Sequence, residues 1–140
     1  MRKAVACLML VALALARPAL AETLTFTATL KGGNEVPPNQ SAAKGDAEVT
    51  FDTDTKLLSW TVNYSGLSGP PIGAHIHGLA DPGSNAGIMI PFTTLASPIT
   101  GSKTLSPLEV EGLTTGRLYV NLHTRLHPGG EIRGQLVRKQ

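Results

Sequence analysis

Cysteine is almost missing from this chain: Cys7 is the single thiol in 140 residues. Even that one lies in a stretch that reads as a leader. Arg2 and Lys3 are followed by an apolar run over residues 4–16, and Ala19-Leu20-Ala21 has the small-x-small pattern of a signal-peptidase site. Cleavage before Glu22 makes residues 1–21 a signal peptide and residues 22–140 a secreted or periplasmic chain with no thiol. Its stability must then come from packing, alone or with a metal, and disulfide scaffolds and thiol catalysis are excluded. Long apolar runs are also lacking. The leader's apolar run is shorter than the roughly 20 residues that span a bilayer, and no later segment approaches that length, so no membrane span is expected. Val5-Ala6-Cys7 lies at the start of the apolar run rather than after it, which argues against a lipid anchor. Excess positive charge disappears with the leader. Without Arg2, Lys3 and Arg17, 9 basic side chains face 10 acidic ones, so no nucleic-acid partner is implied.

What the chain does contain is alternation. Leu24, Phe26, Ala28 and Leu30 point one way and Thr25, Thr27 and Thr29 the other, as in a half-buried strand. Ala47, Val49 and Phe51 repeat the pattern. After a polar turn over residues 52–56, so do Leu58, Trp60, Val62 and Tyr64, giving a hairpin. Trp60 and Tyr64 are core or sheet-face residues on this reading. Short strands follow at 73–78 and 88–92, separated by a turn-rich segment at 81–87. Ser106 can cap one helical turn through Pro107, with Glu109 three residues on. Strands at 117–124 and 131–137 close the chain. The expected fold is all-β, an antiparallel Greek-key-like β-sandwich or barrel of seven to eight strands in one domain.

The residues that can carry chemistry are few. His75 and His77 sit two apart in a strand, so they share a face about 7 Å apart. Two imidazoles so placed can close on one metal ion. His123 lies on the polar face of a later strand with Tyr119 and Asn121, opposite Leu118, Val120 and Leu122. Ring nitrogens of His75, His77 and His123 converging within roughly 3–4 Å would complete a metal site. Its metal affinity would fall as pH drops through about 6.5. His127, in the loop before Pro128-Gly129-Gly130, is a weaker fourth ligand. Asn121, Tyr119 and Glu131 are second-shell partners on this reading. Glu131, Arg133 and Gln135 share a face by alternation, and Glu35 is an available carboxylate for the Arg133 fork. The alternative is that these His, Asn, Glu and Arg residues form a metal-free polar network that fixes strand register. Serine-protease order, nucleotide loops and calcium loops are not found.

Four segments in order carry a family resemblance: Asn34-Glu35-Val36-Pro37-Pro38, Ala74-His75-Ile76-His77-Gly78, Tyr119-Val120-Asn121-Leu122-His123-Thr124, and Pro128-Gly129-Gly130-Glu131-Ile132-Arg133-Gly134-Gln135. Together they resemble the CHRD domain, named after chordin, an extracellular antagonist of bone morphogenetic proteins, and found also in microbial secreted proteins. The resemblance spans residues 24–137 and implies secretion and a β fold more than a reaction. His127 lies outside the motif. A more distant likeness is to copper/zinc superoxide dismutase, whose copper ligands His75, His77 and His123 resemble by position. The cysteine pair and a further histidine for zinc are missing, so dismutation is not expected. The expectation is a binding module holding one transition metal, copper before zinc. Its rival is a metal-free module for an extracytoplasmic protein or polymer. Metal-assisted redox or hydrolytic chemistry, with Glu131 as the acid or base, ranks last.

Overall fold

A computed structural model describes residues 21–140, so the signal-peptide segment lies outside the described residues apart from Ala21. Nine strands, one α-helix and one 3-10 turn follow in order. They are β1 (Thr23–Lys31), the turn Gly32–Asn34, β2 (Lys44–Asp52), β3 (Leu57–Ser65), β4 (Pro71–His77), β5 (Ile88–Pro91), β6 (Ile99–Thr104), α1 (Pro107–Thr114), β7 (Tyr119–Thr124), β8 (Ile132–Gln135) and β9 (Val137–Arg138). The strands form one antiparallel sheet curled into a half-barrel, in the order β5-β4-β7-β8-β1-β2-β3-β6, with β9 pairing beside β1. The all-β expectation holds. The strand β6 is an addition to it, because Ile99–Thr104 carries one buried apolar side chain and little of the alternation that marks the others.

The concave side holds the core. Phe26, Leu30, Val49, Leu58, Val62, Ile76, Val120 and Ile132 are all essentially inaccessible there. Each such side chain contributes about 1.5–3 kcal/mol by leaving water. Two sheet ends that share no hydrogen bonds are drawn together by packing: Phe92, just after β5, stacks on Trp60 of β3 with centroids 4.9 Å apart. The helix α1 begins as expected. Ser106 and Glu109 form a reciprocal capping box behind Pro107, and the helix then runs two turns rather than one. No helix among the described residues is long and apolar enough to cross a membrane.

Strand β7 positions the site. It is buried along its whole length, between β4 and β8. Its apolar side chains enter the core, while Tyr119, Asn121 and His123 face the convex side. Register places His77 opposite Tyr119, His75 opposite Asn121, and Gly73 opposite His123. On the other flank Arg133 pairs with Asn121 and Gln135 with Tyr119. Loops rather than a second sheet cover this polar face.

Candidate metal centre

The antiparallel pairing of β4 with β7 brings the two distant histidine motifs together. His75, His77 and His123 each offer a ring nitrogen, and these atoms lie within 4.8 Å of one another. That is wider than the 3–4 Å expected for ligands already closed on an ion. Metal–nitrogen bonds of about 2.0–2.1 Å would require the rings to close by roughly an ångström. The ring centroids are 4.9–5.6 Å apart and the planes are tilted, so the nitrogens are not stacked face to face.

Two rings are oriented by main-chain carbonyls. Nδ1–H of His77 donates to the Ala86 carbonyl at 3.0 Å, and Nδ1–H of His123 donates to the Pro128 carbonyl at 3.0 Å. A proton on Nδ1 leaves the Nε2 lone pair free. Both Nε2 atoms, and Nδ1 of His75, are buried without any hydrogen-bond partner. Three unpartnered nitrogens are thus gathered in one cluster, and on His77 and His123 the unpartnered nitrogen is the one with the free lone pair. Burial, reinforced by the neighbouring His123 and His77, pushes His75 down to about 4. Burial also lowers His77 and His123, against the opposing pull of their carbonyl partners. All three rings therefore remain neutral, the form able to donate a lone pair, below the ordinary imidazole value of 6.5. Glycine at 73 leaves the flank of the cluster clear. A Cβ there would lie 3.0 Å from Cε1 of His75 and 3.3 Å from its Nε2.

The ring of Tyr119 supports His77 from the other side. The two rings are parallel within 6° at 5.0 Å, and the Arg133 guanidinium lies 3.5 Å over the far face of Tyr119. Arg133 also donates to the Ser84 carbonyl at 2.7 Å and to Oδ1 of Asn85 at 3.0 Å. Tyr119 Oη bonds both the amide and the carbonyl of Ala86. The segment at 81–87, expected only to be a turn, is therefore fastened over the histidines.

Other expected partners are placed elsewhere. Glu131 touches none of the three rings. One of its oxygens accepts from Ser41 Oγ at 2.7 Å and the Ser68 amide at 2.9 Å; the other accepts from Ser68 Oγ at 2.6 Å and Thr124 Oγ1. The expectation that it shares a face with Arg133 fails because β8 begins only at Ile132. Gly130, at φ 133°, turns the chain just before, and the carboxylate bonds Thr124, whose alternation places it opposite His123. Asn121 donates to Glu35 and to the Ile132 carbonyl rather than to a histidine. The expected Glu35–Arg133 ion pair does not form; the guanidinium takes the loop oxygens instead. His127 lies outside the cluster, its backbone closing a turn with Thr124. The carbonyl anchors Ala86 and Pro128 escaped the sequence reading, because a main-chain oxygen leaves no mark in residue type.

A family model for the CHRD domain matches residues 26–136. The chain belongs to the CHRD domain family. No curated protein and no solved structure matches it.

Proposed function

We propose that the protein is an exported CHRD-domain binding module that holds one transition metal ion, copper before zinc. The observation that carries this reading is the trio of unpartnered nitrogens. Buried polar atoms are nearly always hydrogen-bonded, yet Nδ1 of His75, Nε2 of His77 and Nε2 of His123 have no partner, and the three rings offer ligand atoms within 4.8 Å of one another. A closed structural network would fill those lone pairs; a cation would fill all three. Carbonyls that fix the tautomers of two rings are the usual outer support of ligating histidines.

Three imidazoles and no thiolate favour Cu²⁺ over Zn²⁺ on intrinsic affinity. Three protein ligands leave a further position open to water, a small molecule or a partner's side chain. Glu131, the one carboxyl weighed as an acid or base, is fully engaged elsewhere by Ser41, Ser68 and Thr124. That favours binding over catalysis. The test is metal content of the purified protein with calorimetric titration of Cu²⁺ and Zn²⁺. His75→Ala/His77→Ala should weaken Cu²⁺ binding at least 100-fold, whereas unchanged affinity would eliminate the site.

A further inference from the structure

Beside the histidines, on the same convex face, lies a pocket of about 480 Å³ bordered by Asn34, Glu35, Val36, Pro82, Arg133 and Gln135. Two of these side chains are ionisable and more than nine-tenths buried: Glu35 is 7% and Arg133 2% exposed. The guanidinium has no carboxylate within ion-pair distance. The ion pairs among the described residues join Lys103 to Glu109, Arg117 to Asp81, Arg138 to Glu22 and Lys139 to Glu48. The polar partners of Arg133 are neutral, namely the Ser84 carbonyl, the Asn85 amide oxygen and the face of Tyr119. Glu35 is near enough for the guanidinium to pull its pKa down but lies outside ion-pair distance, and burial keeps its carboxyl part neutral. The buried cation is thus incompletely compensated, and a pocket opening onto it is a place for an anion.

We propose that this pocket binds a small monocarboxylate, gripped by the Arg133 guanidinium with its stem against Val36 and Pro82. Its two hydrogen bonds, to Ser84 and Asn85, leave three of the five guanidinium N–H groups free, and that fork matches a carboxylate. The amide hydrogens of Asn34 and Gln135 are directed at main-chain carbonyls, so Arg133 is the principal donor. Burial raises Glu35 to about 7, so at neutral pH its carboxyl is part protonated and can share its proton with a second carboxylate. One cation does not suit a dianion such as phosphate, and the valine and proline walls favour a short apolar stem.

The site is independent of the metal reading, and the experiment keeps it so. Butyrate is titrated into chelator-treated protein and followed by NMR at the Gly33 and Gly83 amides and Arg133 Nε–H. Saturable shifts at these three, with none from butyramide and weaker ones from inorganic phosphate, are the expected result. A Cβ at Gly33 meets no atom within 4 Å, so Gly33→Glu keeps the fold while placing its own carboxylate at the pocket. It should weaken butyrate binding at least tenfold. Arg133→Gln should abolish it, and the glycine variant decides the matter if loss of the Arg133 clamp prevents folding. No saturable shift, equal shifts with butyramide or phosphate, or wild-type affinity in Gly33→Glu would overturn the proposal.

Discussion

Glu131, just before β8, and the histidines of β4 and β7 are polar groups wholly or partly withdrawn from water in neighbouring parts of one sheet, and they are treated in opposite ways. Around Glu131 both oxygens are filled from within, by three hydroxyls and an amide drawn from the segments at 41, 68 and 124. Around the histidines, Nδ1–H of His77 and of His123 donates to a carbonyl, while Nε2 of both rings and Nδ1 of His75 have no partner. The first arrangement is complete without a ligand and ties three segments together. The second leaves three nitrogens without partners, which a cation would fill on the function proposed above. A polar cluster closed within the fold is thereby separated from one left open.

The largest effect that sharpens this contrast is Glu131→Ala. It strands the Ser68 amide and three hydroxyls, and should cost about 4 kcal/mol of unfolding free energy in urea melts. A chelator should not change that loss. Protonation is a milder version of the same break. Hydrogen bonds from Ser68, Thr124 and Ser41 overcome the effect of burial and hold Glu131 at about 2, against an ordinary 4.5. Its stabilisation is complete above about 4.5 and fades as pH falls toward 2, amounting to about 3 kcal/mol. Denaturant midpoints measured across that window check it.

Next in size, Cu²⁺ at 100 times its dissociation constant should raise native stability by about 2.7 kcal/mol, read as a thermal shift that a chelator reverses. His75→Ala/His77→Ala should abolish that shift, while the variant lacking Glu131, if it still folds, should keep it. A second carboxyl breaks the pattern the other way. Glu35, with Asn121 as its hydrogen-bond donor, is raised by burial to about 7 from 4.5. The folded chain therefore holds a proton that the unfolded chain releases, and stability is lost as pH rises from about 4.5 through 7. Glu35→Gln should remove that loss, a gain on the order of 2 kcal/mol at pH 8 and little at pH 4. Smallest of all, His127→Ala should leave both copper affinity and stability within about 0.5 kcal/mol of wild type.

Much of this could be anticipated from residue order because it rests on period-two alternation. Leu24 to Leu30, Leu58 to Val62 and the Tyr119–Asn121–His123 face follow from which side chains can leave water. The Ser106–Glu109 cap was equally legible, being local. What sequence spacing does not encode is which strands lie side by side. β4 and β7 are 42 residues apart at their nearest ends, and only their pairing joins His75 and His77 to His123. Alternation misled at Glu131 because it assumes an unbroken strand, and Gly130 bends the chain one residue earlier. Charge alone pairs Arg133 with Glu35, yet two oxygens of a nearby loop are better placed.

The fastening of His77 to Ala86 and of His123 to Pro128 has a consequence for how such a chain can drift. Surface connectors ordinarily absorb insertions at little expense. Here each of two connectors presents a carbonyl that determines which nitrogen keeps its hydrogen. Lengthening either would let a ring exchange one tautomer for the other and turn a donor N–H toward the place where a cation belongs. On the proposed reading, changes in these unassuming segments would retune metal capture while all three histidines stay in place.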